Sequence, residues 1–171
     1  MKKLDKAIIQ RIKDLFVKLH TVMAKMANRT QKYIRDGTDY LPKDLLENKK
    51  EVTDTINSIE TLLESLEDYQ ILKDGIKKTL KVVEDACTLF IAISYTLHLI
   101  RRSGNGYLFT DEGATLYEAA RAPLYSVVEE VSKRILSMLK EDIISDLLAT
   151  EEAVRLKDSI NNVFEEFISK E

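Results

Sequence analysis

The residue types that most often do acid–base or nucleophilic work are not gathered at any readable spacing in this chain. The chain has one cysteine, Cys87, and two histidines, His20 and His98. Cys87 lies inside the uncharged run from Ala86 to Ile100, with no Lys or His beside it to lower its pKa, and reads as a small buried apolar residue. A lone cysteine excludes an internal disulfide and a multi-cysteine metal site, and it fits a reducing compartment. His20 has no carboxylate three or four residues away, and neither histidine has the spacing of a zinc site or of the Glu-x-x-His pairs that hold metals in helical bundles. His98 reads as a core residue satisfying a local hydrogen bond. The acidic doublets Glu129-Glu130, Glu141-Asp142 and Glu165-Glu166 stand among basic residues on polar faces and read as solvated surface. No Gly-rich phosphate loop occurs. The expectation is therefore a non-enzymatic protein: no catalytic residue, no metal ligand and no cofactor is assigned, and no small-molecule substrate is evident.

What the chain does carry is segregated charge. Its net charge is only −3, but residues 1–35 hold ten Lys or Arg against two Asp, and residues 36–70 hold three Lys against ten Asp or Glu. Lys25, Arg29, Lys32 and Arg35 form the densest basic cluster, at helical spacing. One reading makes the first helix a basic amphipathic surface for phosphate or an anionic membrane surface. The other matches its charges against those of the second helix across an antiparallel hairpin.

A second basic feature is local. Leu99-Ile100-Arg101-Arg102 leads through Ser103-Gly104-Asn105-Gly106 to Tyr107-Leu108-Phe109-Thr110-Asp111-Glu112-Gly113. This stretch resembles the wing of LysR-type and MarR-type winged-helix regulators, where a Gly-containing turn precedes a hydrophobic–Thr–x–x–Gly sequence that opens a helix. Ala114 to Arg121 is similar to the linker helix that follows. The resemblance spans residues 99–121. It implies that Arg101, Arg102, Asn105 and Tyr107 lie at or beside a nucleic-acid backbone, where a basic hairpin tip contacts phosphate.

These residues need elements to position them. Five Gly and two Pro in 171 residues are too few for an all-β sandwich or barrel. Ile8, Ile12, Leu15, Leu19, Val22, Met26 and Tyr33 alternate in steps of four and three, with Arg29 at the missing position, which predicts one long amphipathic helix over about 2–36. Leu45, Val52, Ile56, Ile59, Leu63 and Leu66 predict a second over about 43–69, and Ile76, Leu80, Val83, Cys87 and Phe90 a third. Residues 97–110 read either as a small β-hairpin or as a helix end with a loop. Thr110 reads as an N-cap with Asp111 and Glu112 behind it. Pro123 kinks or restarts the next helix, whose stripe runs from Val127 to Leu147. Thr150 reads as the N-cap of a last helix carrying Leu156, Ile160, Val163 and Phe167.

The expected fold is all-α: an up-and-down bundle of four or five long helices in a single domain, 1–171, possessing at most one small β-hairpin around 97–110. The expected core is Ile12, Leu19, Ile56, Leu63, Val83, Phe90, Ile93, Val131, Ile135, Leu139, Ile160 and Phe167. The longest uncharged run, 15 residues, is short of the ~20 that span a bilayer, so a cytoplasmic protein without a membrane partner is expected. The leading functional expectation is an interaction or assembly module working through helix-on-helix protein contacts, with a protein partner or a second copy. The alternative is a winged-helix-like DNA-binding regulator using the 97–110 segment and the basic first helix.

Overall fold

The computed structural model describes residues 3–36, 41–102, 111–140 and 143–169. All five elements are helices: α1 (Lys3–Asp36), α2 (Leu41–Glu64), α3 (Gln70–Arg102), α4 (Asp111–Lys140) and α5 (Ile143–Ser169). With so few Gly and Pro to interrupt them, the amphipathic stripes run 24 to 34 residues each. α1 packs against α2 and α4, and α3 packs against the same two helices from the opposite corner, while α1 and α3 meet only along a thin diagonal. That is a square, up-and-down four-helix bundle. α5 leans on α3 and, more lightly, on α4.

One core cluster draws on all five helices. Ile12, Phe16, Leu19 and Met26 of α1 face Leu45, Ile59 and Leu63 of α2, Leu72, Ile76, Val83 and Phe90 of α3, and Ile135 and Met138 of α4, all essentially inaccessible. Each such side chain contributes about 1.5–3 kcal/mol on leaving water. α3 is long and apolar enough, by length and composition, to cross a bilayer. A central bundle helix needs the same property. Cys87 is buried on this helix, and burial pushes its thiol up to about 11. His98, half-buried on α3, shares a 2.9 Å hydrogen bond with the buried Tyr33 hydroxyl of α1.

The polar member of each stripe on α1 and α2 is the same contact seen from two sides. Arg29, which interrupts the apolar spacing of α1, donates from Nη1 to Oδ1 of Asn48 at 3.0 Å. Asn48 is fully buried between Leu45 and Val52. A partly buried polar contact among apolar neighbours favours one register, because a slip separates the Arg29 guanidinium from the Asn48 oxygen.

Two expectations change, and one open alternative closes. Residues 97–102 are the last turns of α3, the helix-end reading, and 103–110 lie outside the described residues. The stripe from Val127 to Leu147 is shared by two helices: α4 ends at Lys140 and α5 begins at Ile143. Thr150 is accordingly no cap. Its hydroxyl donates to the Asp146 carbonyl one turn back, the bond a helix-interior threonine makes. Finally, Ile160 and Phe167 are not core residues. They are 57% and 67% exposed, because α5 has left the bundle before reaching them. Ile93 and Leu139 pack on the core from its edge, and the other eight expected residues are buried.

Candidate interaction surfaces

α5 is anchored at its start and bare beyond it. Ile144 and Leu148 are buried, and Leu147 lies over Gly75 of α3. A Cβ at Gly75 would stand 2.6 Å from Leu147 Cδ1, so this glycine sets how closely the two helices approach. One turn on, the buried Glu151 accepts a 3.0 Å hydrogen bond at Oε2 from the backbone N–H of Leu72. The first N–H groups of a helix have no partner within it, and the positive end of its dipole favours a carboxylate. α5 thus caps α3 from a distance of 79 residues in sequence. Arg155 adds a bond to the Asp68 carbonyl, and its guanidinium sits 4.4 Å from the centroid of the Tyr69 ring.

Contacts move from Gly75 to Leu72 to Asp68 as α5 advances from 147 to 155, so the helix runs off the end of the bundle where α2 turns into α3. Every residue from 152 to 169 is exposed. Among them are Leu156, Ile160, Val163, Phe164, Phe167 and Ile168, between 57% and 68% accessible. At 100° per residue these six fall on one arc of roughly 140°. The arm beyond residue 155 is about 20 Å long at 1.5 Å per residue.

At the opposite end of the bundle a cleft gathers arginines. Arg35 of α1, Arg101 of α3 and Arg121 of α4 line an open cleft of about 680 Å³ with Gln31, Tyr117, Glu118 and Tyr125. Ala114, Tyr117, Glu118, Arg121 and Tyr125 share one face of α4, where an apolar stripe would otherwise close the gap to α1 and α3. Arg121 donates from Nη2 to the Tyr125 hydroxyl at 3.1 Å and faces Glu118 at 3.7 Å, while its Nε is buried with no hydrogen-bond partner. Arg101 lies 5.8 Å from the Tyr33 ring centroid, which ties it to α1.

The residues singled out from the sequence therefore separate. Arg35 and Arg101 come together in the cleft. Arg29 is directed to α2 through Asn48, and Lys25 and Lys32 are exposed on α1. Arg102 is the last residue of α3, and Asn105 and Tyr107 lie outside the described residues. Sequence reasoning missed Arg121, because nothing local marks a cation whose neighbours come from two other helices. It did record the apolar spacing of the arm, but assigned that face to the core. Among the described residues no group of three or more His, Cys, Asp or Glu side chains is placed to hold a metal. Comparison with protein-family models, with curated proteins and with solved structures found no match.

Proposed function

We propose that this protein is a non-enzymatic assembly module whose α5 arm pairs with the α5 arm of a second copy. The observation that carries the reading is the uncovered apolar face from Leu156 to Ile168. A soluble monomer seldom leaves so many large apolar side chains contiguous, and such patches mark interaction sites. Covering them removes apolar surface from water at about 25 cal/mol per Å².

The charges on the arm favour an antiparallel partner of the same sequence. Arg155 and Lys157 lie near the bundle, and Glu165 and Glu166 lie near the tip. Two arms crossing antiparallel near residue 161 bring Lys157 of each beside Glu165 of the other, whereas parallel arms set Lys157 against Lys157 and Glu165 against Glu165. Flanking pairs of this kind select orientation more than they add stability. The two phenylalanines bring about 150–250 Å² each, and with the four aliphatic side chains the face approaches the ~800 Å² per partner of a standard interface.

Sedimentation equilibrium over a concentration series tests this. A dimer is expected, and Val163→Asp is expected to convert it to a monomer with unchanged helicity. Lys157→Glu combined with Glu165→Lys is expected to retain more dimer than either change alone. A monomer mass that does not vary with concentration overturns the proposal, as does a dimer indifferent to Val163→Asp.

A further inference from the structure

A smaller cavity lies between α1 and α4, and no residue of the α5 arm lines it. We infer that it is a binding site for a small uncharged aromatic molecule with one hydrogen-bonding group. Ala27 of α1 and Leu124 and Val128 of α4 form its walls, and the buried Phe90 of α3 reaches it from the core. Its volume is about 250 Å³. An apolar cavity of about 150 Å³ already takes up benzene, so a substituted ring has room here. The Tyr125 ring borders the same space. Arg121, one turn back on α4, holds the Tyr125 hydroxyl at 3.1 Å, which keeps that ring at the wall. An aromatic guest therefore meets two rings, Phe90 and Tyr125, and ring pairs attract beyond the area they bury.

The polar groups at the rim decide the charge of the guest. Arg121, Tyr125 and Glu129 stand four residues apart on one stripe of α4, so the rings lie between a cation and a carboxylate. Glu129 has no hydrogen bond or ion pair among the described residues, whereas its neighbour Glu130 is held by Arg134 at 2.8 Å. Inside the cavity the two charges oppose each other. Neither a cationic nor an anionic guest gains enough there to offset leaving water, a cost that an uncharged guest escapes. The Gln31 amide, also without a partner among the described residues, offers one donor group and one acceptor at the mouth.

The test is an NMR chemical-shift titration of the full chain with benzyl alcohol, benzylamine and benzoate, which share a ring and differ in charge. Saturable shifts around Ala27 and Val128 are expected, with benzyl alcohol the tightest of the three. Ala27→Leu puts a side chain into the cavity and is expected to abolish binding. Gln31→Leu, at an exposed position, is expected to weaken benzyl alcohol by about three- to tenfold, the loss of one hydrogen bond. Glu129→Gln is expected to leave benzyl alcohol unchanged and to tighten benzoate by a few-fold. Glu130→Gln, whose carboxylate belongs to Arg134, is expected to change none of the three. No saturable response to benzyl alcohol overturns the inference. So does a charged compound that binds as tightly, or binding that survives Ala27→Leu. Unchanged helicity and melting temperature in each variant separate lost binding from lost folding, and if Ala27→Leu fails to fold, an unweakened Gln31→Leu overturns the inference by itself.

Discussion

Two halves of one helix behave as different materials. Up to Arg155, α5 is fastened to the bundle: Ile144 and Leu148 are buried, Leu147 lies over Gly75, and Glu151 caps α3. From Leu156 on, side chains of the same chemistry recur at the same helical spacing with water on every side. The difference teaches that a periodic apolar face is a demand for a partner surface, and that local sequence does not say which surface answers it. In the first half α3 answers. In the second no described part of this copy does, which is why the arm carries the assembly proposal.

The sharpest way to break the comparison is to truncate one side chain in each half. Ile144→Ala removes a fully buried side chain and is expected to cost about 2–5 kcal/mol of unfolding free energy. Phe167→Ala deletes a larger side chain, yet it is expected to fall within about 0.5 kcal/mol of the parent in denaturant titrations at concentrations too low for self-association. Comparable losses at the two positions would mean that the arm folds back on its own bundle.

Glu151 marks the border between the halves. Glu151→Ala leaves the Leu72 N–H buried without its acceptor, at an expected cost of about 1–2 kcal/mol. Hydrogen exchange is the direct readout. The first turn of α3 and the adjoining turn of α5 are expected to lose protection together, because this bond joins them. Loss confined to either helix would show that the cap does not couple them.

The smallest effect concerns Gly75. Alanine in a helix is favoured over glycine by about 1 kcal/mol, but here its Cβ would press on the Leu147 side chain at 2.6 Å. The opposing effects are expected to leave Gly75→Ala slightly destabilised, by under ~1 kcal/mol. In a Leu147→Ala background the contact disappears, and the same substitution is expected to stabilise. A double-mutant cycle with no coupling would place Leu147 elsewhere.

Much of the fold was legible before any coordinate. Leu19, Ile56, Leu63, Val83, Phe90, Val131 and Ile135 are buried as their spacing implies, because an α-helix converts a four-three recurrence directly into one face. The misjudged positions share a cause. Thr150 followed by Glu151 and Glu152 has the composition of a helix start, but that local preference is overridden because Glu151 is satisfied by Leu72 of another helix. The stretch 97–102 is a different case: its composition is open between strand and helix end, and it is helix as the continuation of α3. The basic cluster on α1 looked like one patch, yet Arg29 turns to Asn48 while Arg35 lies with Arg101 and Arg121 in the cleft.

By itself the sequence determined an all-helical chain, the long helices with their inward faces, and a single cysteine suited to the core. These follow from properties within a few turns of one helix: periodicity, the scarcity of Gly and Pro, and the absence of neighbouring charge. The tertiary structure alone decided that α5 leaves the bundle at Arg155, that Ile160 and Phe167 face water, and that arginines from three helices share one cleft. Each of those depends on which surfaces meet across 65 to 90 residues of chain, as Tyr33 meets His98 and Arg155 meets Asp68. No local pattern encodes that choice, because it is made by burying apolar area between surfaces that are far apart in sequence.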